Sequence, residues 1–368
     1  MMKFIRPNLK NSILNVSATL ADFLGVKNDI YKNKKLQKYL NKGYKNVVYL
    51  CLDGLGIYPL KQNLNKDSFL IKNISQKITS LFPSTTTNAT TSLQSALYPS
   101  QHGWFGWSLY FESLKACVTI YMGQNYYSGE PVDMSKIQDI LKFTPYFEQA
   151  SSDYNISTVF PPFVKTEAKN YKFENLDDLF VHLNTICNLP GKQFIYAYSP
   201  EPDHIMHDYG VSSKKAGEII KYLNDKIELF IRNNQNTLLI ITPDHGQTDI
   251  YEYIELYKDE ALMKTLKVPL YLEPRACSFQ VKEGEGENFL KEIKKYKKDL
   301  KFYKVEDLIR KNYFGPKTDK LKLLGDYIAT PRKDDKMILM SPKSPRFKGH
   351  HTGLTKKEMI LPLIIVEN

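Results

Sequence analysis

TLLIITPDHG (237–246) is the stretch on which the reading of the fold turns. Thr237 to Thr242 are β-branched or leucine, carry no charge and show no polar alternation. They read as a short strand buried on both faces. Pro243 ends the run, and Asp244 and His245 stand side by side on a tight turn before Gly246. Working outward, VVYLCLD (47–53), STVF (157–160), QFIYAYS (193–199) and ILPLIIV (360–366) have the same character. Stretches of helical periodicity lie between them, among them KKAGEIIKYLNDKIELFIRN (214–233). Strand and helix in alternation imply an α/β fold with a mainly parallel central sheet flanked by helices on both faces. Such sheets bind ligands at the carboxyl edge of their strands, so polar residues at strand ends are where chemistry is expected.

Two segments interrupt the rhythm. The aromatic stretch 104–145 reads as an insertion near the active edge. The span 252–347 holds a strand pair, VPLYLEPRACSFQV (268–281), and a turn running into an amphipathic helix, EGEGENFLKEIKKYKK, which suggests a smaller α+β subdomain. Residues 1–368 are thus expected to be one domain carrying two insertions, with 368 residues and 42% apolar content enough for a large core.

The formal charge of +11 suggests attraction to anions. Its lysines concentrate in YKNKKLQKYLNKGYK (31–45) and KEIKKYKKDLKFYK (291–304), where apolar residues recur at helical spacing. Without aromatic interleaving or arginine, these runs read as solvated helix faces rather than a nucleic-acid groove. MMKFIRPNLKNSILNV has no unbroken apolar stretch of signal-peptide length, and no run elsewhere is long enough to span a membrane, so a cytoplasmic protein is expected. The four cysteines stand far apart and read as reduced core thiols.

Several strand ends carry candidate ligands. Asp53 follows VVYLCL and precedes Gly54 and Gly56, which stops the strand and aims a carboxylate off the sheet edge; a turn-capping aspartate would look the same. YSPEPDHIMHDYG (198–210) sets Asp203 and His207 four apart, so one helical face could offer both to one cation. TPDHG adds Asp244 and His245, and His351 lies in GHHTGLTKKEMILPLII. Two carboxylate–histidine pairs at two strand ends are hard to obtain by chance, and their oxygen and imidazole donors suit zinc. In SLFPSTTTNATTSLQSALYPSQHG (80–103), Pro83 and Ser84 set up a helix start, placing a threonine in the first turn, where free N–H groups favour an anionic phosphate.

These segments together resemble the type I phosphodiesterase and nucleotide pyrophosphatase branch of the alkaline phosphatase superfamily, over roughly Val47 to Val366. FPSTTTNATTSLQSALYPSQHG is similar to that branch's nucleophile segment, EPDHIMH and TPDHG to its metal segments, and HTGLTKKEMILPLI to the closing motif of bacterial relatives. EPRACSF and FGP…LGDYIATPR also resemble recurrent segments. The resemblance implies an alkaline-phosphatase-like core with Thr86 as nucleophile and two Zn2+, or other divalent ions such as Mn2+. Asp203, His207 and His351 would hold one ion; Asp53, Asp244 and His245, with the Thr86 oxygen, would hold the other. It implies a phosphothreonine intermediate, and it selects His351 over His350.

One departure bears on substrate. Where well-studied nucleotide pyrophosphatases carry an asparagine four residues after the HG of the nucleophile segment, this chain has Trp107. Trp104, Phe105, Trp107 and Tyr110, with Tyr126 and Tyr127, could instead form a stacking platform for a flat leaving group, or an aromatic mini-core of the insertion. No arginine lies near Thr86 in sequence, so the expected substrate is a small-molecule phosphodiester or phosphoanhydride. A phosphomonoesterase or phosphomutase of the same superfamily is the rival reading; a basic nucleic-acid binder with a structural metal is a second. No C/S-x-P-x-R segment is present, which argues against a sulfatase. The sequence does not disclose an oligomeric state.

Overall fold

The computed structural model describes residues 4–368. Its central sheet has seven strands, in the order Ile74–Thr79, Ile360–Glu367, Thr237–Thr242, Asn46–Leu52, Gln193–Ser199, Asn155–Phe160 and Asn170–Lys172. All run in one direction except Ile360–Glu367, which is antiparallel to both its neighbours. The expected mainly parallel α/β architecture is present. The reversed strand has a topological cause: the chain reaches it from the carboxyl edge, through Gly349–His350 and the short helix Lys356–Met359, and so must run back from that edge.

The buried strand Asn46–Leu52 shows why its sequence is continuously apolar. Val47, Tyr49 and Cys51 face one core, shared with the helix Ile13–Phe23 and with Ala89 and Leu93 of the helix Thr86–Ser95. Val48, Leu50 and Leu52 face the other, against the helices Leu176–Cys187 and Lys214–Asn233. With both faces covered, no position can be polar without a buried partner.

A second seven-stranded sheet is wholly antiparallel: Leu300–Lys304, Tyr327–Pro331, Ala276–Phe279, Tyr271–Glu273, Ser108–Phe111, Ala116–Thr119 and Gln124–Asn125. The two interrupting segments therefore meet in a single sheet, joined where Leu272 pairs with Ser108. Between Tyr271–Glu273 and Ala276–Phe279, the tight turn Glu273-Pro274-Arg275-Ala276 points back toward the first sheet's carboxyl edge, where Arg275 N–H donates to Thr352 Oγ1 at 3.0 Å. All four cysteines are free and buried. No helix among the described residues is long and apolar enough to cross a membrane.

Candidate metal centre

Asp53, Asp244 and His245 lie just beyond the carboxyl ends of two adjacent parallel strands. Asp203 and His207 occupy one face of the helix Asp203–Tyr209, which follows the neighbouring strand Gln193–Ser199. Thr86 opens the helix Thr86–Ser95, and His351 follows Gly349–His350, itself paired with Thr248–Asp249. Close backbone approach brings these ends together. Gly54 has φ +71, and a Cβ there would lie 2.7 Å from Asp203 Oδ1; a Cβ on Gly56 would lie 2.6 Å from Gly246 Cα. Side chains at either point would push the strand ends apart.

Two groups of donor atoms result. In the first, His207 Nε2 lies 3.0 Å from Asp203 Oδ2 and 3.2 Å from His351 Nε2. In the second, His245 Nε2 lies 3.2 Å from Asp53 Oδ1 and 3.3 Å from Asp244 Oδ2. Thr86 Oγ1 joins that group, 3.1 Å from His245 Nε2 and 3.4 Å from Asp53 Oδ2. The groups touch: the His245 and His351 rings stack at 3.6 Å, and Asp203 comes within reach of both. All seven sequence-identified residues thus converge on one place.

The donor set fits cations. Nδ1 of His207, His351 and His245 faces the carbonyl oxygen of Gly349 (2.8 Å), Ser84 (2.9 Å) and Gly246 (3.1 Å) respectively. A carbonyl only accepts, so each Nδ1 carries the hydrogen, and in the neutral ring each Nε2 then presents a lone pair, the arrangement of a metal-ligating imidazole. Two such lone pairs facing each other, and three buried carboxylate oxygens without partners, Asp53 Oδ1, Asp203 Oδ1 and Asp244 Oδ2, are costly unless positive charge lies between them. Burial, then the neighbouring carboxylates Asp244 and Asp203, pushes Asp53 well above the ordinary range. Burial, with Asp203 adding to it, also raises Asp244. Burial pushes Asp203 the same way, but His207 more than offsets it and holds Asp203 low.

The remaining candidates separate. His102 is buried, bonded to Ser92 Oγ at 2.9 Å, and accepts from Trp104 N–H at 3.0 Å; burial drives its pKa down to about 3, so it is a neutral brace under the helix Thr86–Ser95. His350 packs edge-on against the His207 ring, while His204 points outward beside Glu201. Phe105 is a correction as a substrate contact: it is fully buried and packs edge-on against Phe314, because an aromatic run reads alike whether it faces a core or a cleft. Tyr126 and Tyr127 pack on each other, Tyr127 donating to Leu270 O, and Tyr110 sits at the margin of the same core. Trp104 and Trp107 instead flank Tyr121, at 5.3 and 6.0 Å, and the Tyr121 hydroxyl reaches Thr90 Oγ1 at 3.3 Å, one turn along the helix that Thr86 opens.

Sequence reading missed Tyr121, Tyr198, whose hydroxyl donates to Asp53 Oδ2 at 2.5 Å, and Glu273. It also missed the buried pair of Arg275 and Glu358, joined at 2.7 and 3.1 Å. Glu358 accepts from Gly353 and Thr355 N–H, beside His351, and its carbonyl accepts from Gly246 N–H, beside His245. The local signals were EPRACSF, which carries both Glu273 and Arg275, and HTGLTKKEMILPLI, which carries Glu358.

Comparison with known proteins bears on the fold and the family. The structure is similar to murine ectonucleotide pyrophosphatase/phosphodiesterase 5, at 18% identity and TM-score 0.67 over 88% of each chain. It is similar to the human form at 17% identity and TM-score 0.63, over 86% of this chain and 87% of that one. Phosphonoacetate hydrolase from Sinorhizobium meliloti 1021, in complex with phosphonoformate, matches at 14% identity and TM-score 0.61, over 86% of this chain and 89% of that one. None of the curated proteins matches the chain in sequence. The family model described as type I phosphodiesterase / nucleotide pyrophosphatase matches residues 47–353. That match takes in every residue of the two donor groups, and the chain belongs to this family of metal-dependent hydrolases of phosphoester bonds.

Proposed function

We propose that the chain is a zinc-dependent phosphoesterase that cleaves a small-molecule phosphodiester or phosphoanhydride through a phosphothreonine on Thr86. The observation that carries this reading is the position of the Thr86 hydroxyl: at the head of a helix, with His245 Nε2 and Asp53 Oδ2 both within 3.4 Å and the second donor group adjoining. Asp203, His207 and His351 would hold one zinc, and Asp53, Asp244, His245 and Thr86 the other. Bound there, the metals would supply Lewis acidity, lowering the pKa of the Thr86 hydroxyl and neutralising charge on the phosphoryl oxygens.

The residues do the rest. The helix head presents first-turn N–H groups to the phosphoryl group. Tyr198 holds Asp53 with one oxygen turned away from the hydrogen bond, and His102 fixes the helix from below through Ser92. Thr86 Oγ attacks phosphorus, the ester oxygen leaves, and water then cleaves the phosphothreonine. Trp104, Trp107 and Tyr121 form a partly exposed aromatic group one helical turn away, suited to a flat leaving group. A murine relative's inactive threonine-to-alanine variant, in complex with AMP, supports both the nucleophile and a nucleotide-like ligand. Arg275 is committed to Glu358 and to main-chain carbonyls, so it does not serve as a clamp for a monoester dianion.

A panel of aryl monoester, aryl diester, dinucleotide and phosphonate substrates tests the reading, with bound metal measured on the same samples. The diester is expected to exceed the matching monoester in kcat/KM by at least about tenfold. A monoester preference in the metal-replete protein would favour the phosphomonoesterase alternative.

A further inference from the structure

Thr85 is the N-cap of the helix that Thr86 opens, with φ −128 and ψ 148, the extended backbone from which a threonine hydroxyl ordinarily accepts a hydrogen bond from the first-turn N–H groups. It makes no such bond. Its hydroxyl donates instead to Glu273 Oε1, at 2.6 Å. The same oxygen accepts from Trp107 N–H at 2.7 Å, which fixes the carboxyl between the helix head and the aromatic group. Glu273 is buried at 3% exposure, an expensive place for a carboxyl. The residue before it, Leu272, has φ +84, a left-handed backbone that a leucine rarely adopts. The second sheet thus holds an unfavourable turn and a buried acid in order to reach one hydroxyl beside the nucleophile.

We propose that Glu273 is a positioning residue that keeps the head of the nucleophile helix uncapped, leaving its first-turn N–H groups to the phosphoryl oxygens. An N-capping threonine and a phosphoryl group compete for the same donors. By drawing the Thr85 hydroxyl away, Glu273 settles that competition in favour of substrate. The inference rests on the phosphoesterase reading of the site.

A compensation experiment tests it. Glu273→Ala releases the Thr85 hydroxyl to cap the helix and is expected to weaken inorganic phosphate binding, measured by calorimetry on metal-loaded protein, by about tenfold, with a matching fall in kcat/KM for an aryl diester. Adding Thr85→Val removes the hydroxyl that would cap, so the double variant is expected to bind phosphate more tightly than Glu273→Ala alone and to recover much of its turnover. Glu273→Gln, whose amide oxygen still accepts from Thr85, should stay far closer to wild type than Glu273→Ala. A double variant no better than the single one would overturn the assignment, because a bracing role alone predicts further loss. Should Glu273→Ala fail to fold, Glu273→Met combined with or without Thr85→Val carries the same contrast. Wild-type turnover of the diester is the control for the underlying reading: a wild type inert towards every ester defeats that reading, whereas an active wild type with an unrescued double variant defeats only the role of Glu273.

Discussion

The group of Asp203, His207 and His351 and the group of Asp53, Asp244, His245 and Thr86 are built from similar donors, yet they handle charge in opposite ways. In the first, carboxylate and imidazole pair directly: Asp203 is held low, and His207 is raised because Asp203 outweighs the burial that would lower it. In the second, two buried carboxylates face one histidine; burial raises both acids, reinforced at Asp53 by Asp244 and Asp203 and, against the pull of His245, at Asp244 by Asp203. The histidine group can neutralise itself. The carboxylate group, which adjoins the Thr86 hydroxyl, depends on a cation for its ionised form. On the proposed reading, activity of Thr86 is thereby made conditional on metal.

The sharpest way to break this contrast is to remove the oxygen that the carboxylate group serves. Thr86→Ala is expected to lower kcat by about 10^4-fold or more while retaining metal, with Thr86→Ser keeping a measurable fraction. Equal loss in Thr87→Ala, with Thr86→Ala active, would move the nucleophile. The next effect is on stability. Arg275→Met leaves Glu358 buried without its partner and loosens the supports of both His351 and His245, and is expected to cost about 3–5 kcal/mol in chemical denaturation. A cost under about 1 kcal/mol would show that the two groups do not share this support.

A pH series on metal-stripped protein sharpens the contrast. Glu273 is raised from 4.5 to about 7, first by burial, so the stability it contributes is fully present below pH 4.5 and is lost as pH rises through about 7. His207 acts in the same sense: its contribution is present below its ordinary 6.5 and lost as pH rises through its raised value. Stability is therefore expected to fall between about pH 5 and pH 8, by on the order of 2 kcal/mol, with Glu273→Gln flattening the slope. A rise over that range would contradict it. The smallest effect is the most diagnostic. In metal-stripped protein, Asp53→Asn relieves repulsion and is expected to stabilise by about 1 kcal/mol, whereas Asp203→Asn removes the partner of His207 and destabilises by a similar amount. Shifts of the same sign in both variants would erase the distinction between the groups.

Much of this was legible in sequence. The five apolar runs form strands because each is covered on both faces, which leaves an uninterrupted apolar signature. Asp53, Asp203, His207, Asp244 and His245 were legible because they end those strands or follow them closely, whereas Thr86 and His351 rested on resemblance to known motifs. Ile74–Thr79 was not, since its first residues are half-exposed and polar positions interrupt it. The merging of two segments into one sheet was hidden because it depends on a pairing between Leu272 and Ser108, 164 residues apart, that no local pattern encodes. Tyr198 and Glu273 escaped for the same reason: each gains its meaning from a partner across the fold, Asp53 and Thr85.

The one reversed strand, Ile360–Glu367, has a consequence for how the centre assembles. Asp53, Asp203, Asp244 and His245 leave strands that pair with one another, so docking those strands already gathers Asp53, Asp244 and His245 beside Asp203. His351 arrives ahead of a strand, and its contact with His207 closes a separation of 144 residues. A chain in which Ile360–Glu367 has not yet docked therefore offers a cation a donor set that lacks His351. A cation that prefers the full set binds the docked form more tightly and shifts the population toward it, which makes the metal a thermodynamic ligand of folding as well as an agent of chemistry.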